Sequence, residues 1–173
     1  MIEQVQHRIS VATRGPGFTD ITAEVAAWLA SIAAQDGLLT LFVRHTSASL
    51  TIQENADPDV LRDLADALDK LAPRGTGYRH SMEGADDMPG HIRSMLTAVS
   101  LGVPVTGGVA VLGVWQAIYL IEHRDRPHAR EIALHYIGTR RQHPRRQILL
   151  AFRRVGGADN DFSIPPDIAL QHG

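Results

Sequence analysis

The chain has no cysteine. That excludes disulfides, iron–sulfur clusters, thiolate-ligated zinc and a thiol nucleophile. Lysine is nearly absent: of 17 basic residues only Lys70 is lysine, and sixteen are arginine. A basic surplus is missing too, since 19 acidic residues leave a net charge of −2. Dedicated nucleic-acid binders need that surplus for phosphate contacts, so nucleic acid is not an expected partner. Aromatic residues make up only 5%. The longest apolar stretch, Val109 to Ile121, is 13 residues and contains Gln116. It is too short and too polar to span a bilayer, and Met-Ile-Glu-Gln does not open a signal peptide, so a soluble cytoplasmic protein is expected. What remains is ordinary in bulk: 173 residues, 44% hydrophobic and 21% charged, which suit one domain with a proper core. Histidine is the exception, with nine copies of the commonest metal-ligating side chain.

Hydrophobic periodicity organises the chain up to about residue 138. Val5, His7, Ile9 and Val11 alternate with polar residues, as in a half-buried strand. Arg14-Gly15-Pro16-Gly17 ends it, and Ile21, Val25, Trp28, Leu29 and Ile32 recur at helical spacing, with Thr22 as N-cap and Gly37 as terminator. Leu38 to Val43 reads as a strand buried on both faces, and a short alternating stretch follows through Leu50 and Ile52. Asp57-Pro58 opens a second helix whose apolar face is Val60, Leu61, Leu64, Leu68 and Leu71. A third helix is expected from near Pro89, with Ile92, Met95, Leu96 and Val99 on one face. The rest reads as strands: Leu101 to Val105, a Gly107-Gly108 turn, Val109 to Leu112, Trp115 to Glu122, a hairpin loop over Arg124 to His128, and a last strand through Ile132, Leu134 and Tyr136. Interspersed helices with consecutive closing strands predict a single-domain α+β fold with a mostly antiparallel sheet and about three helices.

Three polar clusters sit at the ends of these elements. His45-Thr46-Ser47-Ala48-Ser49 leaves a strand and runs on to Glu54-Asn55. Tyr78-Arg79-His80 and Gly84-Ala85-Asp86-Asp87-Met88-Pro89-Gly90-His91 flank the third helix. His45, His80 and His91 are the donor types of a catalytic transition-metal site, which uses three protein ligands and leaves a position open. Their spacing matches no local metal signature, so the fold must bring them together; the alternative is packing or surface histidines.

These segments, with Glu122-His123-Arg124 and Gly113-Val114-Trp115-Gln116, resemble in order the YjbQ family across about residues 3 to 138. The resemblance implies a sheet curled toward a barrel, a homotrimer, a metal held by His45, His80 and His91, and secondary thiamine-phosphate synthase activity. That reaction joins a pyrimidine diphosphate to a thiazole phosphate and releases pyrophosphate. Zinc or another divalent transition metal suits imidazole ligands, whereas diphosphate departure usually uses Mg²⁺ on carboxylates. A metal-dependent hydrolase of a small phosphorylated or acylated metabolite is therefore one alternative, and a non-catalytic trimeric metal- or ligand-binding protein is another.

Other residues carry paired readings. Asp86 and Asp87 orient a histidine or bind a hard cation, or else cap the helix. Glu54 is a candidate general acid or base, or a solvated carboxylate. Thr46, Ser47 and Ser49 offer hydrogen bonds to a ligand or to the backbone. Trp115 walls a pocket or joins the core. Arg124 and Arg130 grip a phosphate, or pair on the surface with Asp125 and Glu131. His7 reads as a packed structural histidine. Two positions depart from the family pattern: Val109 stands where an arginine is common, and Val114 where a threonine is.

Residues 139–173 lie beyond the resemblance. Arg140 to Arg154 contains six arginines and no acidic residue, around the apolar run Ile148 to Phe152. Docking of that run on the domain is expected over recruitment of a polyanion, because five exposed apolar residues invite aggregation.

Overall fold

Among residues 1–75 and 77–141, which the computed structural model describes, the chain forms eight strands and three helices. The strands make two antiparallel sheets. One has the order β1 (Glu3–Ala12), β8 (Ala129–Arg140), β3 (Ala34–Val43), β5 (Ser100–Thr106), β6 (Val109–Ala110). The other has the order β2 (Gly17–Asp20), β7 (Gln116–Glu122), β4 (Ala48–Glu54). An isolated bridge joins Leu50 of β4 to Ala98, just ahead of β5, and the whole curls into a half-barrel. Leu39, Leu41 and Val43 of β3, Ile118 and Leu120 of β7, and Ile132, Leu134 and Tyr136 of β8 point inward. Helix α1 (Thr22–Ser31) lays Val25, Trp28 and Leu29 onto them. Burying such side chains contributes roughly 1.5–3 kcal/mol each, which makes this inner face the main source of stability.

Several local expectations hold. Asp57 caps α2 (Pro58–Leu71) by accepting the Asp59 N–H at 2.9 Å, with Pro58 in the first turn. Gly107 and Gly108 both take positive φ, as the tight turn between β5 and β6 requires. His7, expected as a packed histidine, stacks on Trp28 with ring centroids 5.8 Å apart but remains exposed.

Others are corrected. The four-residue β2 lies where only a turn was expected; it pairs with β7 from Gly17↔Glu122 to Asp20↔Tyr119. Thr22 is the first helical residue and Ile21 the N-cap. The Thr22 hydroxyl accepts the Ile118 N–H at 2.9 Å and so ties the helix to β7. The helix stops before Ala33, which takes a φ of +53°, not at Gly37. Gly37 sits at a β-bulge in β3, where a Cβ would lie 2.7 Å from the Gly138 Cα. β3 is buried on one face only: Leu38 and Phe42 point outward, Phe42 being 47% exposed.

Helix α3 (Asp87–Leu96) starts two residues before Pro89, and its inward face is not the apolar one. Pro89, Gly90, Arg93 and Ser94 are buried, whereas Met95 and Leu96 are exposed. Arg93 bonds the Ala72 carbonyl at 2.9 Å and Asp69 at 2.7 Å, and Ser94 bonds the Ala48 carbonyl, so this polar face finds partners, although Arg93 Nε is buried without one. Residues Arg124 to His128 do not close a hairpin. β7 pairs with β2 and β4 while β8 pairs with β1 and β3, so this loop carries the chain from one sheet to the other. β8 continues through Thr139 to Arg140, whose guanidinium bonds the Ile32 carbonyl at 2.6 Å. The readings made for residues 142–173, including Ile148 to Phe152, lie outside the described residues.

Candidate metal centre

One turn of α3 supplies two donors. Asp87 and His91 are four residues apart and therefore share a helix face. The loop between α2 and α3 brings His80 over them. The three donor atoms lie within 4.8 Å of one another. Asp87 Oδ2 is 2.6 Å from His80 Nε2 and 3.3 Å from His91 Nε2. The carboxylate forms the floor, 3% exposed, and the imidazoles the rim, at 42% and 37%.

The surroundings aim these groups. His91 Nδ1 donates to the Thr46 carbonyl at 3.1 Å. A carbonyl only accepts, so Nδ1 carries a hydrogen and Nε2 is the nitrogen turned to the site. Arg124 holds the other side. Its guanidinium reaches Asp87 Oδ1, Asp86 Oδ2 at 2.9 Å and the Glu83 carbonyl at 2.9 Å. Partial burial pushes the Asp86 carboxyl up, but the Asp125 N–H and Arg124 outweigh it and hold the group below the usual range. Gly90 lets α3 come this close: a Cβ there would sit 3.3 Å from the Ser47 Cβ and 3.5 Å from the Arg124 Cδ. Arg124 thus pairs with the two aspartates rather than with Asp125, which binds Arg74.

Of the three histidines singled out in the sequence, the structure joins His80 and His91, and Asp87 stands where His45 was expected. His45 Nε2 instead accepts the Glu131 N–H at 2.9 Å. Burial and then the charge of Arg130 lower its pKa below that of a free imidazole. Thr46 touches the site through its backbone carbonyl. Ser47 and Ser49 are buried behind it: Ser47 Oγ accepts from Arg130, and Ser49 shares a 2.9 Å hydrogen bond with His123. Glu54 and Trp115 are not brought to the cluster. Glu54 ends the strand that begins at Ala48, roughly 20 Å along β4. Its side chain accepts the Asp57 N–H, and Trp115, beside it across the ladder, is 65% exposed.

Reading by residue type also missed a buried ion pair next to the site. Arg130 grips Glu122 through Nε at 2.7 Å and a terminal nitrogen at 2.5 Å. Thr13 and the Arg124 N–H bond the same carboxylate. Burial raises the Glu122 carboxyl, but these donors outweigh it and its pKa falls below the usual value. The signal was present: Glu122 and His123 continue the unbroken apolar run of β7, where a carboxylate must have a partner. Between this pair and His91 a cavity of about 910 Å³ opens, with His45, Ser47 and Arg130 along one wall.

The chain and its fold have relatives. A family model described as UPF0047 protein YjbQ-like matches residues 7–139. The UPF0047 protein sll1880 of Synechocystis sp. is 50% identical over 136 residues, covering 78% of this chain and 92% of that protein. The UPF0047 protein YjbQ of Salmonella typhimurium is 45% identical over 120 residues, covering 69% and 87%. Among solved structures, the conserved hypothetical protein TT1486 from Thermus thermophilus matches with a TM-score of 0.66 at 39% identity, over 74% of this chain and 97% of that one. The YbjQ-like protein SSO2532 from Sulfolobus solfataricus shares the fold with a TM-score of 0.74 at 21% identity, over 80% and 100%. The motifs from His45 to Glu54 and from Glu83 to Ile92 lie inside the matched span, and the chain belongs to the YjbQ-like UPF0047 protein family.

Proposed function

We propose that this protein is a metal-dependent enzyme acting on a small phosphorylated metabolite, with the metal held by His80, Asp87 and His91. One observation carries the reading. The bond from Nδ1 to the Thr46 carbonyl turns His91 Nε2 toward a buried carboxylate oxygen 3.3 Å away, and in the neutral imidazole that nitrogen, like the carboxylate, only accepts. Two acceptors at that distance need a positive charge between them, and a divalent cation or an added proton is the means available. The donor set fits zinc or another transition metal better than Mg²⁺, which takes oxygen ligands and keeps several waters. A metal bound there supplies a Lewis acid for a phosphoryl oxygen. Asp87 contributes its charge to the site, while Arg124 and Asp86 hold that carboxylate in place.

Two reactions are compatible with such a centre. The secondary thiamine-phosphate synthase reaction is the one brought by the family resemblance. Hydrolysis of a phosphorylated metabolite is favoured by a specific contact: Arg124, the cation nearest the ligands, is committed to Asp86, Asp87 and the Glu83 carbonyl. It is not turned toward a departing diphosphate. Steady-state assays of the metal-loaded protein on phosphorylated metabolites, beside complementation of a thiamine-requiring strain, separate the two. Turnover that disappears in Asp87→Asn supports the enzyme reading. No turnover and no complementation leave a non-catalytic ligand-binding protein.

We further propose a homotrimer, with Leu38 and Ile137 on the outward face of the five-stranded sheet covered by a neighbouring copy. No helix among the described residues is long and apolar enough to cross a membrane. With no cysteine to form disulfides, the cytoplasm is the proposed compartment.

A further inference from the structure

His45, Ser47 and Arg130 share one wall of the cavity beside His91, and the fold has occupied the acceptor nitrogen of His45, a lone pair of Ser47 and the Glu122-facing edge of Arg130. The Glu131 N–H is permanently protonated and donates to His45 Nε2 at 2.9 Å. That bond fixes the neutral tautomer with hydrogen on Nδ1, and a proton on Nε2 would set two N–H groups against each other. The contact has a topological origin. The β3–β8 ladder ends at Val43↔Ile132, and the His45 ring replaces the next strand carbonyl as acceptor for β8. Among the described residues His45 Nδ1 has no partner, and it is not sealed from solvent.

The other two donors are set the same way. Ser47 Oγ accepts from Arg130 at 3.2 Å, which leaves its hydroxyl hydrogen to give. Arg130 is almost wholly buried. Its Nε and Nη2 are used by Glu122 and Ser47, while Nη1 has no partner among the described residues and is not sealed off. Glu122, gripped from behind, fixes which edge of the guanidinium turns outward. Across the mouth, Phe42, Met95 and Val99 offer apolar surface.

We propose that His45 Nδ1–H, Ser47 Oγ–H and Arg130 Nη1 form a binding site for the phosphate of a phosphomonoester whose organic part lies against Phe42, Met95 and Val99. His45 is then a neutral hydrogen-bond donor to the ligand and not a metal ligand. Coordination through Nδ1 would require that nitrogen to lose its hydrogen while Nε2 stays engaged. The proposal takes the phosphorylated-metabolite reading above and names the groups that hold the phosphate; it does not depend on the metal.

The test uses the full-length, metal-supplemented protein and phenyl phosphate as the probe, followed by calorimetry, with benzoate and benzyl alcohol alongside. The wild type is expected to bind phenyl phosphate and not benzyl alcohol. His45→Leu and Ser47→Ala are each expected to weaken it about tenfold or more, the usual effect of removing a hydrogen bond to a charged group. His45→Gln, whose amide can accept from Glu131 and donate from its other end, should restore most of the binding. All three variants should keep the metal content of the wild type, and imidazole ¹⁵N spectra should show His45 as the neutral Nδ1–H form. Any of four results overturns the proposal: no binding of phenyl phosphate by the wild type, tighter binding of benzoate, unchanged affinity in both His45→Leu and Ser47→Ala, or metal lost with His45. A metal-free wild type that still binds phenyl phosphate through His45 instead defeats the metal reading and leaves this one standing. Should His45→Leu fail to fold, Ser47→Ala and the imidazole spectrum decide alone.

Discussion

Lowering the pH should strip stability from this fold through His123, a fully buried imidazole at the end of β7. Burial, and then the charge of nearby Arg93, push its pKa down from 6.5 to about 4, with Glu122 and Arg130 acting in opposite senses behind them. In the unfolded chain the imidazole regains its ordinary pKa of about 6.5 and takes up a proton that the folded chain refuses. The stabilisation is therefore complete above pH 6.5 and is lost as pH falls through the interval down to about 4. For those two values the linkage relation gives a loss of about 2 kcal/mol at pH 5 and about 3 kcal/mol at pH 4. His123→Gln removes the titration and keeps an acceptor for the Ser49 hydroxyl. Urea unfolding followed by tryptophan fluorescence, at one fixed protein concentration, measures both proteins at pH 7.5, 6 and 5. The gap between them should narrow by about 2 kcal/mol across that range, because only the wild type loses the His123 contribution. A constant gap, or an NMR titration of His123 with a midpoint near 6.5, refutes the reasoning.

Glu122→Gln leaves the Arg130 charge buried without its counter-ion and should cost about 3–5 kcal/mol in denaturant unfolding; an unchanged midpoint contradicts the buried pair. Gly37→Ala drives a Cβ into the backbone of β8 at the bulge and should cost about 1–3 kcal/mol or more, whereas Gly75→Ala, with open space around it, suffers only its positive-φ penalty. Leu38→Glu should convert a threefold assembly to monomers in multi-angle light scattering at micromolar concentration, and an unaltered mass places the interface elsewhere.

Much of the framework was legible because its periodicities are clean. The alternation in β1, β5 and β8 and the Asp57-Pro58 helix start carry local physics that the tertiary fold did not override. β2 was not legible, since four residues beginning at Gly17 and preceded by Pro16 carry turn chemistry as strongly as strand pattern. The inward face of α3 was misjudged for another reason. Apolar periodicity picks Ile92, Met95 and Leu96, but Arg93 and Ser94 find buried carbonyls on Ala72 and Ala48 that no spacing reveals. The crossing from β7 to β8 was read as a hairpin because a short loop is locally the same whether its strands pair or part. At the site, residue types pointed to His80, His91 and the two aspartates. They did not show which nitrogen of His45 is engaged, and that contact, made to Glu131 eighty-six positions away, separates it from the cluster.

Equilibrium zinc binding to the purified protein, with metal content read by elemental analysis, tests the central claim most directly. About one ion per chain is expected in the wild type. His80→Ala and His91→Ala should lose most of it, since each removes one of three protein ligands, and His45→Gln should keep it. Equal zinc in the wild type and in a His80→Ala/His91→Ala double variant would contradict the assignment of the metal centre.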